Sequence, residues 1–142
     1  MTKTDWEKLK HFSPKEAWGN PSEMSLELLL ALDDFRDRMG ERFIVNCGYA
    51  TSGHSPDSFH YKGEAVDGLF EFTNIFEQFF EALREDSFKG IGIYPFSKRP
   101  FLHLDIRPTR VKLIWYRDRG GSYHYNFSLK QLYLLGGGAW PS

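Results

Sequence analysis

Ser58-Phe59-His60-Tyr61-Lys62-Gly63-Glu64-Ala65-Val66-Asp67 is the stretch on which the reading of this chain turns. A second histidine follows in Phe101-Leu102-His103-Leu104-Asp105-Ile106-Arg107. Two imidazoles and a carboxylate are the ligand set of a catalytic zinc site that keeps one position open for water. Ligand atoms bound at roughly 2.0–2.2 Å must themselves lie close together. On a straight helix His60 and Asp67 would be separated by about 10 Å of rise. On a straight strand the gap would be about 23 Å. The chain between them therefore reverses. Gly63 is the expected pivot, because glycine takes positive φ without steric penalty. Ala65 is small enough to pack beside a metal, and Val66, next to Asp67 on an extended chain, is expected to face the core.

The second segment reads as a half-buried strand. Leu102, Leu104 and Ile106 alternate with Phe101, His103, Asp105 and Arg107, the period-two pattern of one buried and one polar face. His103, Asp105 and Arg107 thus share a face. From there Asp105 can act as a base on an activated water, orient a ligand, or pair with Arg107. His54 lies in the polar loop Thr51-Ser52-Gly53-His54-Ser55-Pro56-Asp57, which leads straight into the first ligand segment and is expected to rim the same cleft. His11 and His124 have no chemical partner visible in the sequence.

Composition narrows the function classes. The chain has 142 residues, which suits a single domain over 1–142 with a real core. Hydrophobic residues make up 41% and aromatic residues 17%, which argues for a packed body rather than disorder. A net charge of −1 without runs of either sign leaves no electrostatic footprint for nucleic acid. The single cysteine, Cys47, cannot form an internal disulfide and reads as a small buried thiol. Neither an apolar secretory core nor a run of membrane-spanning length is visible. The expected product is cytoplasmic as synthesised and monomeric, unless it leaves the cell by lysis, a holin-like route or as part of a larger particle.

Around the two segments the pattern is helices first and strands after. Asn20-Pro21-Ser22-Glu23 reads as a helix start, with Leu28, Leu29, Leu32, Phe35 and Met39 at helical spacing and Gly40 as the stop. Arg42 to Tyr49 reads as a strand. A second helix is expected from Asn74 to Glu85, with its Phe residues in the core. Gly90 to Tyr94 reads as a strand. Phe101 to Arg107 and Arg110 to Tyr116 are expected to form an antiparallel pair joined at Pro108-Thr109. A short strand is expected over Tyr123 to Phe127, and a last helix from Ser128 through Leu135, closed by Gly136-Gly137-Gly138. This is an α+β domain with helices packed on a mostly antiparallel sheet.

The first segment fits S-x-H-x-x-G-x-A-x-D at every fixed position. It resembles the zinc D-alanyl-D-alanine carboxypeptidase-like family, whose fold is shared with the Hedgehog signalling domain. The likeness covers most of the chain. It implies a Hedgehog/DD-peptidase-like fold, one Zn2+ held by His60, Asp67 and His103, and peptidoglycan stem peptides as substrate. Ser58 matches the motif serine, which the resemblance implies is a hydrogen bonder beside the metal site, and is taken with His54 and Arg107 as lining the substrate. Many members carry a Glu shortly before the final His as general base; here Pro100, Phe101 and Leu102 occupy that stretch. Asp105 is the expected substitute. Many members also carry an Arg after the first strand that clamps a substrate carboxylate; here Gly48-Tyr49-Ala50-Thr51 stands there. Either Arg107 or Arg99 replaces it, or the substrate lacks a terminal carboxylate there, which would favour endopeptidase over carboxypeptidase action; a D,D-carboxypeptidase and an L,D/D,D-endopeptidase both stay open. A non-hydrolytic zinc-binding module of the same fold, or a phage particle-associated protein, would share these features.

Overall fold

The computed structural model describes residues 1–125 and 127–135. In chain order it contains α1 (Lys3–Glu7), α2 (Leu26–Met39), β1 (Phe43–Cys47), β2 (Ala65–Phe70), α3 (Ile75–Ala82), β3 (Gly90–Tyr94), β4 (Phe101–Asp105), β5 (Leu113–Arg117), β6 (Tyr123–Tyr125) and α4 (Leu129–Leu135). Single 3₁₀ turns lie at Pro21–Glu23 and Phe59–Lys62. The six strands form one sheet in the order β1-β2-β4-β3-β5-β6. Every pairing is antiparallel except β3 with β5. The fold is α+β with a mostly antiparallel sheet, as the sequence implies.

The sheet has two faces with different jobs. One row across it runs Val66, Leu104, Ile91 and Ile114. These side chains pack with α2 and α3 in a core where Leu28, Leu32, Phe35 and Phe79 are fully buried. Edge-on ring pairs knit it: Phe35 meets Phe70 at 5.0 Å and Phe88 at 5.7 Å between centroids, a favoured arrangement of aromatic quadrupoles. The neighbouring row on the other face runs Cys47, Asp67, His103, Gly92, Trp115 and Tyr125. A bulge between Val45 and Cys47 sets the first member of that row. Because side chains alternate along every strand, sheet register alone assembles the polar face.

Two expectations are corrected. The strands around Pro108 do not pair with each other: β3 lies between β4 and β5, bonded antiparallel to the first and parallel to the second. β4 already has both edges occupied, by β2 and β3. The helix also does not start at Asn20. The Asn20 carboxamide caps only the 3₁₀ turn, Met24 is extended at ψ 147°, and α2 restarts from the Ser25 cap. The interruption has a tertiary cause: Ser25 N donates to Gly63 O at 2.9 Å, tying the helix entry to the first ligand segment. Val66 is fully buried, as the alternation requires. Ser128 Oγ accepts from Gln131 N at 3.3 Å at the start of α4. The Gly136-Gly137-Gly138 stop lies outside the described residues, as does Asn126 within the expected strand over Tyr123 to Phe127.

Candidate metal centre and its cleft

His60 sits in the 3₁₀ turn between β1 and β2. Ser58 Oγ accepts from His60 N at 3.2 Å and caps that turn. Gly63 ends it at φ +69°. A side chain there would stand 1.8 Å from Glu23 O, so both the backbone conformation and the space demand glycine. The reversal expected from the His60–Asp67 spacing is therefore this turn, running directly into β2 and Asp67.

The ring nitrogens are assigned by their partners. His60 Nδ1 lies 2.7 Å from Gly48 O, a carbonyl that can only accept. That leaves Nε2, 3.2 Å from Asp67 Oδ1. His103 Nε2 lies 2.7 Å from Asp105 Oδ2. That leaves Nδ1, 3.1 Å from the same Asp67 oxygen. One ligand atom from each of His60, Asp67 and His103 thus falls within 4.8 Å of the other two. Each nitrogen aimed at that oxygen either carries its own proton, making its ring an imidazolium, or shares a metal ion with it. The set fits a tetrahedral zinc with one open position.

The electrostatics agree. Burial by itself would lower the pKa of His60. Hydrogen bonding to Asp67, then to Cys47, with the Asp67 charge and the Gly48 carbonyl, outweighs it and raises the value to about 10. For His103 burial is likewise opposed by Asp105 and Asp67, and the net shift is upward. Burial pushes Asp67 up, but His103 and His60 hold it well below the usual carboxylate range.

Asp105 sits away from the water-facing side. It is fully buried. Beyond His103, its oxygens accept from Arg107 Nε at 2.9 Å and Arg107 Nη2 at 2.6 Å. The Arg107 guanidinium lies over the rings of Phe59 at 5.0 Å and Trp115 at 5.3 Å. Arg107 therefore braces Asp105, and Asp105 braces His103. Of the three options open from sequence, orienting a ligand and pairing with Arg107 both describe this geometry. A base needs access to water, which Asp105 lacks.

A cavity of about 730 Å³ opens over this face. Its lining includes the three ligand residues, Gly53, His54, Ser55 and Asp57 from the loop, and Ser58 and Arg107. The expectation that the loop rims the cleft agrees with this placement. His54 stacks on His60, with ring centroids 4.2 Å apart and planes at 18°. Tyr61 fixes its backbone by accepting from His54 N at 2.9 Å and donating to His54 O at 2.8 Å. Burial and the neighbouring His60 charge lower the His54 pKa, against a smaller opposing effect of Asp67. It is thus less basic than the His60 ring on which it stacks. His11 and His124 lie elsewhere, against Asp37 at 3.0 Å and Asp118 at 2.7 Å.

The opposite wall was not foreseen from sequence. Tyr94, Phe101, Trp115, Arg117, Tyr123 and Tyr125 line it. Two glycines of β3 make it possible. A Cβ at Gly92 would stand 2.4 Å from Trp115 Nε1. A Cβ at Gly90 would stand 2.2 Å from Asp105 Oδ2 and 2.5 Å from Arg107 Nε. Gly90-Ile91-Gly92 thus presents isoleucine to the core and bare backbone to the site, where the indole and the Asp105–Arg107 pair lie across it. Such glycines mark close approach in a strand, and that was the available signal.

The chain matches the Peptidase M15 family over residues 7–105. That span contains β1 to β4 and the three candidate ligands His60, Asp67 and His103, and the chain belongs to this family of zinc-dependent metallopeptidases. No individual curated protein matches it. Among the described residues no helix is long and apolar enough to cross a membrane.

Proposed function

We propose that this peptidase cleaves peptidoglycan stem peptides, with zinc held by His60, Asp67 and His103. The convergence of His60 Nε2, His103 Nδ1 and Asp67 Oδ1 on the floor of an open cleft carries the reading. Zinc at such a site supplies Lewis-acid activation of water and of the scissile carbonyl. Asp105 holds His103 with Nδ1 free. His54 is the proton acceptor in place of Asp105, because it lines the cleft and its ring stacks on His60. The water oxygen bonds to the carbonyl carbon while its proton passes to His54. As the C–N bond breaks, that proton passes to the leaving amine. A cleft that admits solvent beside an imidazole outside the ligand set favours hydrolysis over a purely zinc-binding role.

The test is hydrolysis of purified cell walls and defined muropeptides by zinc-reconstituted protein, with mass spectrometry of the products. Release of terminal D-alanine identifies carboxypeptidase action, and internal cleavage identifies an endopeptidase. Absence of any chelator-sensitive cleavage would end the proposal. Replacement of His54 by Gln should leave zinc bound and slow turnover by roughly 10²–10⁴-fold.

A further inference from the structure

Tyr94 stands apart from the metal ligands, and its surroundings fix its hydroxyl. It follows Gly92 by two residues on β3 and pairs with Phe101 as Gly92 pairs with His103. It therefore lies on the site face, about 7 Å along the strand from the His103 position. Its ring stacks on Phe101 at 4.4 Å with planes at 6°. The Trp115 indole, whose centroid is 5.1 Å from that of His103, donates from Nε1 to the Tyr94 hydroxyl at 3.1 Å. A phenol oxygen that already accepts a hydrogen bond directs its own proton elsewhere and donates it more strongly. The neighbouring phenol is Tyr123, which crosses Tyr94 edge-on at 6.1 Å, is 49% exposed and accepts the Tyr94 proton in this structure, a bond that a substrate oxygen would replace. Both rings line the cleft that contains His60, Asp67 and His103. Burial, opposed by the Trp115 hydrogen bond and aided by the charge and hydrogen bond of Tyr123 and by Asp67, raises the Tyr94 pKa above its ordinary value, so the donor stays protonated.

We propose that Tyr94, aimed by Trp115, is a catalytic residue whose hydroxyl donates a hydrogen bond to the scissile carbonyl oxygen as negative charge develops there. The inference rests on the peptidase reading above. When water adds to the carbonyl carbon, the π pair of the C=O bond moves onto its oxygen, and the Tyr94 O–H stabilises that charge without transferring its proton. When the C–N bond breaks, the pair returns and the hydrogen bond weakens. A donor aimed at charge that exists mainly in the transition state raises kcat with little effect on KM. Gly92 belongs to the same device, since any side chain there would displace the indole that aims the hydroxyl.

The test compares the zinc-loaded wild type with Tyr94→Phe, which removes one oxygen and keeps the stack on Phe101. The expected result is a kcat lower by roughly 10²–10³-fold, with KM, zinc content and Tm unchanged. Calorimetry gives a readout independent of turnover. A phosphinate analogue of the cleaved peptide, which places a charged tetrahedral oxygen at the reacting centre, should lose affinity in Tyr94→Phe in parallel with kcat/KM. The reaction product should not. Trp115→Phe keeps the hydroxyl but loses its aim, and should show a smaller fall in kcat. A Tyr94→Phe enzyme within about twofold of wild-type kcat would overturn the assignment against the expected effect, as would unchanged phosphinate affinity or a loss explained by zinc release. A wild type that cleaves no peptide would instead overturn the peptidase reading and this inference with it.

Discussion

His60 and His103 have the same task and are held in opposite ways. His60 rides on a four-residue turn, and its outward nitrogen meets a main-chain carbonyl, Gly48 O. His103 stands on a central strand bonded on both sides, and its outward nitrogen meets a buried carboxylate braced by an arginine. Both arrangements set the tautomer and turn one free nitrogen towards Asp67, as metal-bound histidines require. The first depends on the path of the backbone, so it fails when that path changes. The second depends on side chains, so it can be tuned by substitution without loss of the fold.

The largest effect expected from this difference is at Gly63. An alanine there would have to adopt φ near +69° with its Cβ 1.8 Å from Glu23 O, a main-chain atom that cannot rotate away. Left-handed backbone at a non-glycine residue alone costs about 1–2 kcal/mol, and the clash adds to it. Gly63→Ala should lose the turn, the Ser25–Gly63 hydrogen bond and zinc binding together, seen as a large fall in Tm and in bound metal. A variant that kept wild-type zinc content would show that the His60 half tolerates a changed path.

Asp105→Asn probes the other half and should act more gently. The strand pairings remain, but His103 loses its anionic partner and Arg107 its counter-charge. Zinc affinity should fall by roughly 10–100-fold, measured by chelator competition, with turnover at saturating zinc close to normal. If zinc affinity held while hydrolysis fell by roughly 10²–10⁴-fold, Asp105 would be the proton acceptor after all.

The same contrast explains what could be read from the sequence. The candidate metal ligands sit in short segments whose composition carries their geometry: a serine cap, a glycine pivot and alternation on a strand. The helix periodicity of Leu28 to Phe35 and the Phe-rich face of α3 were legible for the same local reason. The position of β3 between β4 and β5 was not, because a parallel pairing leaves no turn signature, and Pro108-Thr109 read as a hairpin. Without that pairing Trp115 could not be placed over Gly92, and the aromatic wall stayed hidden. The role of Asp105 was legible as a choice of three, since spacing puts it beside His103 but cannot say which ring nitrogen it meets. The false helix start at Asn20 has a similar origin: local capping chemistry was right, and the bond from Ser25 to the distant Gly63 decided the outcome.

The pH dependence sharpens the comparison on the side of His60. Its folded pKa of about 10 lies above the ordinary 6.5. Its contribution to apo-protein stability is therefore fully present below about pH 6.5 and lost as pH rises through about 10. Asp67, held low, contributes above its ordinary 3.8 and loses that contribution as pH falls through its lower folded value. The metal-free protein should lose Tm between about pH 6.5 and 10. Zinc must displace the His60 proton, so its apparent affinity should rise by about tenfold per pH unit for each proton released over that range. Thermal melts of the apo form should thus fall across that range while those of the zinc-loaded form stay nearly level, because the gain in zinc affinity offsets the lost proton contribution. Parallel curves would mean that His60 holds no proton in the apo protein.

The smallest effect is expected at Ser58, although it is the first residue of the motif. Its hydroxyl accepts one hydrogen bond, from His60 N, and so closes the start of the turn. Removing a serine cap typically costs about 0.5–2 kcal/mol. Here the turn is also held at its other end by the hydrogen bonds of Gly63 N to His60 O and Glu64 N to Phe59 O. Ser58→Ala should accordingly fall near the low end, about 0.5–1 kcal/mol, with zinc affinity reduced only slightly because Gly48 O still orients the ring. Ser58 also lines the cleft, which gives it a second way to matter. If KM for a stem peptide rises markedly while Tm and zinc affinity stay near wild type, the hydroxyl touches substrate as well as capping the turn. If all three hardly change, the serine is a local cap, and the backbone path set by Gly63 alone is what holds His60 in place.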